Sequence, residues 1–311
     1  MSSHIISIGD LHGDLLIFKE ILMMCGLIDS DENWVGGSKI VVQCGDTLDG
    51  KRPGVKLSKN FKDTPEEIPL MKFIQKLDSQ ASKKGGRVIS LLGNHEIYHI
   101  YYKNDPEFSK EMLGYVKGAD RKHFRDTHGA KRVDHLSPGN KGGIFLAENR
   151  PLFYRKGEFL FMHGSLTDSF IALAPKKNKK IDISAVNTQV KKWLLGGSTP
   201  KYLNDANDIN PLFNRAMSEH KVLEKTDCDK ISNQLSSFNG IKYVVMGHSV
   251  HEGINSTCNG TLFRIDVALS RAFGGTIREN AKKIQVLEII QKTGQDPVVR
   301  IITPTGVLPV D

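Results

Sequence analysis

Cysteine is scarce in this chain of 311 residues: there are four, Cys25, Cys44, Cys228 and Cys258, and none stand in a CxxC spacing. With no secretory context around them, a disulfide framework is not expected, and reduced thiols in a reducing compartment are. Long hydrophobic runs are missing as well. No apolar stretch approaches the roughly 18 residues that span a bilayer, and a strand-like run begins at Ile5, which leaves no room for a signal peptide. The expectation is a cytoplasmic protein with no membrane partner. Internal repeats and low-complexity tracts are absent too. Acidic residues are outnumbered, 35 Asp and Glu against 43 Lys and Arg, for a net charge of +8. That excess invites a nucleic-acid reading, but its densest cluster, Pro175-Lys176-Lys177-Asn178-Lys179-Lys180, is short and has no interleaved aromatics. A solvated loop accounts for it better, so nucleic acid is not expected as a partner. A nuclear role for these lysines stays as an alternative, and a basic surface also steers acidic partners toward the protein.

What the chain does have is five short segments rich in ligand-type residues, each at the end of an apolar run. They are Gly9-Asp10-Leu11-His12-Gly13, Gly45-Asp46-Thr47-Leu48-Asp49, Gly93-Asn94-His95-Glu96, His163-Gly164 and Gly247-His248. The runs before them are Ile5-Ile6-Ser7-Ile8, Ile40-Val41-Val42, Val88-Ile89-Ser90-Leu91-Leu92, Phe159-Leu160-Phe161-Met162 and Tyr243-Val244-Val245-Met246. Apolar runs of this length that stop at glycine read as buried strands. A single Asp after such a strand is most often a turn or helix-cap residue, and a single His is more often half-buried structure. Five matched occurrences are not explained by packing.

Carboxylate, amide carbonyl and imidazole form a mixed oxygen and nitrogen donor set. It suits manganese, iron or zinc, whereas calcium takes oxygen alone. Two such divalent ions roughly 3.5–4 Å apart share a carboxylate, lower the pKa of a bridging water and clamp a phosphoryl group for in-line attack. Asp10 and His12 are assigned to one ion, Asn94, His163 and His248 to the other, and Asp46 to the bridge. His95, next to the ligand Asn94, is placed to protonate a leaving alkoxide. Asp49 is placed to hold the His95 tautomer.

The set GDLHGD, GDTLD, GNHE, HG and GH resembles the calcineurin-like metallophosphoesterases, and within them the PPP-type protein phosphatases, from residue 4 to about 275. The stretch Val244–Ser249 followed by Leu262–Gly274 is similar to the Shewanella-like branch. The resemblance implies an α/β fold, a two-sheet β-sandwich flanked by helices. It also implies hydrolysis of phosphoserine or phosphothreonine in a phosphoprotein or phosphopeptide substrate. Within Pro211-Leu212-Phe213-Asn214-Arg215 it assigns Arg215 to phosphate, against a surface salt bridge as the plain reading. The family places an arginine directly after the second aspartate, but this chain reads Asp49-Gly50-Lys51-Arg52. Either Arg52 swings in from a rebuilt loop or Lys51 takes over as a point charge, because glycine does not replace a bidentate arginine. A further small departure is His163-Gly164-Ser165 in place of two glycines. Three rivals stand beside the phosphatase reading: a phosphotyrosine phosphatase, a small-molecule phosphoesterase of the dinucleoside polyphosphate or cyclic nucleotide type, and an inactive phosphopeptide-binding scaffold.

The remaining organisation reads as one domain over residues 1–311. Leu15, Phe18, Ile21 and Leu22 predict a helix from Asp14 to Cys25, and Met71, Ile74 and Leu77 one from Ile68 to Ser82. A helical cap is expected over about 97–150 and a second helical insert over about 181–225. Strands at Val244, Leu262, Ile284–Ile290 and Val298–Ile302 are expected to form the second sheet. His4, His99, His123, His128, His135 and His220 are read as solvent-facing or capping. His251 either lines the site or sits in a turn.

Overall fold

The computed structural model describes residues 3–310 apart from 57, 59–61, 130, 205–208, 220 and 221. In chain order the elements begin β1 (Ser3–Ile8), α1 (Leu15–Met24), β2 (Ile40–Gln43), α2 (Glu67–Ser82) and β3 (Arg87–Ser90). A run of helices follows: α3 (Asn94–Tyr102), α4 (Pro106–Met112), α5 (Gly118–His128), α6 (Arg132–Leu136) and α7 (Lys141–Asn149). Next come β4 (Tyr154–Lys156), β5 (Phe159–Met162), α8 (Asp168–Leu173), β6 (Lys176–Lys177), β7 (Lys180–Ile181), α9 (Ile183–Leu194) and α10 (Lys225–Ser236). The chain closes with β8 (Tyr243–Met246), β9 (Asn255–Thr257), β10 (Leu262–Arg264), α11 (Ile277–Ala281), β11 (Val286–Gln291), β12 (Val298–Thr303) and β13 (Gly306–Leu308).

Apart from the β6-β7 pair, the strands of the described residues make two sheets, β13-β12-β11-β1-β2-β3 and β4-β5-β8-β10-β9. Within them β1, β2 and β3 run parallel, as do β5, β8 and β10. Their side chains alternate between two buried environments, which is why the sequence shows unbroken apolar runs instead of an apolar and polar alternation. Ile5, Phe159, Phe161 and Val245 fill the space between the sheets. Ile6 and Ile8 face outward onto Phe18, Ile21 and Leu22 of α1. Leu160, Met162, Val244 and Met246 face the opposite outer layer with Val186 and Trp193 of α9. Each fully buried side chain of this kind stabilises by about 1.5–3 kcal/mol relative to exposure.

Helix α1 starts where Asp14 caps it, accepting from Ile17 N at 3.1 Å. Helix α2 has no such cap of its own. Asp120 of α5 supplies it from a distance, its Oδ1 accepting from Glu66 N at 2.7 Å and Glu67 N at 3.0 Å. This carboxylate at the positive end of α2 pins the cap helices α3–α7 to the first sheet.

Three expectations are corrected. The strands at 284–290 and 298–302 belong to the first sheet: β11 pairs antiparallel with β1, and β12 with β11. The edge of β1 away from β2 would otherwise present unpaired amides, and β11 covers it. The lysine cluster is a β6–β7 hairpin and not an irregular loop, turning at Asn178 and Lys179 with φ of 50° and 62°. Cys228 and Cys258 are joined in a disulfide, while Cys25 and Cys44 are free. Thirty residues separate the pair, and only the fold brings their Cα atoms to 5.2 Å. The reducing-compartment expectation loses the support that cysteine usage gave it. A thiol titration of the unfolded, unreduced protein is expected to count two thiols, and four would show that the bridge does not form. Closing a loop of this length contributes about 3–4 kcal/mol in the chain-entropy picture, so reduction should lower the melting temperature.

His99 and His135 are buried, contrary to the solvent-facing reading, because the cap folds over them. His220 lies outside the described residues. His251 is buried in the irregular segment between β8 and β9, its Nε2 against Ser218 O at 2.9 Å.

Candidate metal centre

The parallel strands of both sheets end on the same side, so five loops converge there. Asp10 and His12 leave β1, Asp46 and Asp49 leave β2, Asn94 and His95 open α3 after β3, His163 follows β5 and His248 follows β8. The glycines beside these residues are explained by close approach. A Cβ on Gly93 would lie 2.2 Å from Asp46 Oδ1, and one on Gly247 2.3 Å from Asp10 Oδ1. His12, Asp46, Asp49 and His248 themselves have positive φ, 41°, 54°, 65° and 74°. Non-glycine residues held there cost of the order of 1–3 kcal/mol each, and such strain gathers at functional sites.

Three imidazoles have one nitrogen committed to a backbone carbonyl, which fixes the tautomer and leaves the other for a ligand. His12 Nδ1 lies 3.1 Å from Leu48 O, His163 Nδ1 2.8 Å from Cys44 O and His248 Nε2 3.1 Å from Phe213 O. The remaining nitrogens turn to the carboxylates. His163 Nε2 is 3.3 Å from Asp46 Oδ1 and 2.8 Å from Asn94 Oδ1, and His12 Nε2 is 3.8 Å from Asp10 Oδ2 and 3.9 Å from Asp46 Oδ2. His248 Nδ1 is buried with no hydrogen-bond partner among the described residues.

Among the described residues two groups are compact enough to hold a metal ion, His12 with Asp46 and His95, and Asp46 with His163 and His248. Asp46 is common to both. A buried imidazole nitrogen without a partner, facing a shared carboxylate, fits a transition-metal ion. The electrostatics agree: burial, then Asp266 and Asp46, push the Asp10 carboxyl well above its usual range. Burial also pushes Asp46 up, but His163, His95 and His12 outweigh it and hold that carboxyl well below the usual range.

His95 Nδ1 meets Asp49 Oδ2 at 2.7 Å. Asp49 is completely buried, and burial would raise its pKa. Arg132 and His95 more than offset this and hold it at about 2. Arg132, from the start of α6, was not singled out in the sequence. Its Nη2 donates to Asp49 Oδ1 at 2.7 Å and its Nε to Glu67 Oε2 at 2.7 Å. Sequence reasoning had no signal for it, since 83 residues separate it from Asp49. Glu96 was quoted in its motif but given no role. Its carboxylate accepts from the backbone N–H of Asp46, Thr47, Leu48 and Gly93, so it braces the Asp46 loop. A local signal was present there, because a glutamate at the third helical position reaches back to the cap amide.

The departure after Asp49 has a structural cause. A Cβ on Gly50 would lie 2.9 Å from Lys117 Cε, so a cap lysine crosses the space an arginine at 50 would need. The Lys117 ammonium is bound to Glu66 Oε2 at 2.5 Å. Arg52 is the cation that turns inward: its Nη2 lies against His12 Nε2 and 2.8 Å from His12 Nδ1, with the guanidinium 4.7 Å from the Phe273 ring centre. Lys51 is tied by its backbone N–H to Tyr115 O at 2.9 Å. On the other side Arg215 Nη1 donates to His248 O at 2.5 Å and to Ser249 Oγ at 2.9 Å. The structure thus brings all ten sequence-selected residues to one edge.

Comparison with known proteins agrees with this arrangement. The calcineurin-like phosphoesterase family model matches residues 3–252. Shewanella-like protein phosphatase 2 of Arabidopsis thaliana is 30% identical, covering 96% of this chain and 77% of that protein. Shewanella-like protein phosphatase 1 of Plasmodium berghei is 29% identical over 86% of this chain and 67% of its own length. Among solved structures, the cold-active protein-tyrosine phosphatase of a psychrophilic Shewanella species superposes with a TM-score of 0.68 at 18% identity, covering 99% of this chain and 80% of that one, a likeness of fold. On its motifs, its fold and the family match, the chain belongs to the calcineurin-like phosphoesterases.

Proposed function

We propose that the protein is a phosphoprotein phosphatase that binds two divalent metal ions, manganese, iron or zinc, and hydrolyses phosphoserine or phosphothreonine. The observation that carries this reading is Asp46 lying within ligand reach of two separate histidine groups. Asp10, His12 and Asp46 would hold one ion, and Asp46, Asn94, His163 and His248 the other. When bound, the pair supplies an activated water and neutralises phosphoryl charge.

The chain's own residues do the rest. Arg215 and Arg52 flank the histidine ligands from opposite sides, placed to grip phosphate oxygens. Arg52, whose Nη2 now lies against the His12 ring, would have to leave it for the phosphate if His12 held an ion. His95 holds a proton for the departing oxygen, and Asp49 keeps the ring oriented through Nδ1. Arg132 and Glu67 hold Asp49 in turn. A general acid positioned this way favours poor leaving groups such as serine and threonine alkoxides.

One observation favours phosphotyrosine as a second reading. Half-buried aromatics surround His95 and Arg52: Tyr98 stacks on His95 with centroids 6.1 Å apart, and Tyr115 lies 5.8 Å from it. Phe213 packs on Tyr98 at 5.3 Å. Such a collar suits an aryl ester.

The deciding experiment is turnover by purified, metal-loaded protein of matched phosphoserine, phosphothreonine and phosphotyrosine peptides, beside diadenosine tetraphosphate and cyclic nucleotides. Faster hydrolysis of the nucleotides would overturn the protein-phosphatase reading, and binding of phosphopeptides without turnover would leave the scaffold. Arg52→Ala and Arg215→Ala are each expected to lower kcat/KM by about 1.5–3 kcal/mol, the size of a charged hydrogen bond. A silent Arg52→Ala would mean that Arg215 alone grips phosphate. Arg132→Gln is expected to lower kcat by about 10–100-fold with KM and metal content unchanged, the size of effect seen on losing an outer partner. Loss of metal in that variant, or a change confined to KM, would remove its positioning role.

A further inference from the structure

We propose that a cavity of about 750 Å³ in the helical cap is a binding site for a small amphiphilic anion, a carboxylate or phosphate carried on an apolar, ring-sized body. The cavity opens among α3, α5 and α6, behind the His95–Asp49 pair. None of the six proposed metal ligands lines it, and Asp49 is the wall the two sites share. Its volume is that of a small-molecule site.

Charge is the first argument. Lys103, Arg121, Arg125 and Lys131 face the cavity, and among the described residues none of them makes an ion pair. Two acids also line it, but Asp49 is saturated by His95 and Arg132, and Asp134 is exposed. Four unneutralised cations around one concavity focus a positive potential there, which an anion relieves.

Two polar groups with hydrogen-bonding capacity left over are the second argument. His99 is only 4% exposed, and among the described residues its ring meets no hydrogen-bonding partner beyond the Leu136 backbone. Burial, aided by Arg132, lowers its pKa to about 3, so it is a neutral ring with one donor and one acceptor to offer. Buried polar capacity of this kind is met by ordered water or by a ligand. Arg132 spends Nε and Nη2 on Glu67 and Asp49, and among the described residues its Nη1 makes no hydrogen bond. The apolar body is called for by Met112, Leu113, Val116 and Val133, which also line the cavity. Leu113 is a large aliphatic side chain left 46% exposed.

The test uses 8-anilinonaphthalene-1-sulfonate, an aromatic anion whose sulfonate stands in for carboxylate or phosphate. Fluorescence titration of the metal-loaded full chain is expected to show one saturable site that saturating inorganic phosphate does not displace. In Arg121→Glu/Arg125→Glu the affinity should fall about tenfold or more, with p-nitrophenyl phosphate turnover retained as the sign of an intact fold. Should that double variant fail to fold, Arg125→Gln and Lys131→Gln, both at exposed positions, are each expected to weaken binding about threefold. Absence of a saturable site, displacement by phosphate, or an affinity indifferent to the charge variants would overturn the proposal.

Discussion

Exchanging Asp46 for asparagine is expected to strip the protein of both metal ions and to lower turnover by about 10³-fold or more. Its Oδ1 lies 3.3 Å from His163 Nε2, and its Oδ2 lies 3.9 Å from His12 Nε2. One carboxylate thereby faces both histidine groups. Asparagine keeps the shape but offers one neutral oxygen and an N–H donor turned toward the other group. An ion contributes several kcal/mol of transition-state stabilisation, and about 1.4 kcal/mol is a tenfold change in rate. Elemental analysis beside kinetics checks this. An Asp46→Asn protein that retains two metal ions and turnover within tenfold would end the bridging assignment. A manganese-soaked crystal gives the same answer directly, with two ions sharing Asp46 as the expected result.

His95→Asn is expected to lower kcat by about 10²–10⁴-fold while metal content stays near normal. The geometry makes the metal analysis the decisive half of the experiment. His95 Nε2 is 3.8 Å from Asp46 Oδ2, so His95 falls within one of the two groups able to hold an ion. Its Nδ1 bond to Asp49, a carboxylate held ionised by Arg132, fixes the tautomer and leaves Nε2 for either a proton or an ion, so metal content separates the two roles. Loss of one metal ion in the variant would make His95 a ligand and remove the general acid. If the assignment holds, the defect should shrink for p-nitrophenyl phosphate, whose leaving group needs little protonation.

Asp49 also bears on the pH profile. Its folded pKa of about 2 lies below the usual carboxylate value, so the stability it contributes is present above that usual value and is lost as pH falls toward 2. An acid limb of activity above about pH 4 must therefore come from another group.

Much of this protein was legible in its sequence because the informative contacts are local. Each candidate ligand lies within a few residues of its strand's end, and each strand is mostly apolar because both its faces are largely buried. The run of residues alone therefore marked where a strand ends and what it delivers there. Asp14 capping α1 and Glu96 reaching back to Gly93 are of the same short-range kind.

The tertiary structure alone decided what depends on pairing across the chain. Strand periodicity says that Val286–Gln291 is extended but not which edge it joins, and the open edge of β1 settled that. Cys228 and Cys258 carry no spacing signal, and neither does Arg132, which reaches Asp49 only because Asp120 anchors the cap to the start of α2. The same cap sends Lys117 across Gly50, which is why no arginine stands there and Arg52 reaches in instead. Sequence patterns record what neighbouring residues require of one another. Contacts closed over long loops leave no such period, so the residues that converge at the strand ends were readable in advance, whereas Arg132 and the Cys228–Cys258 bridge were not.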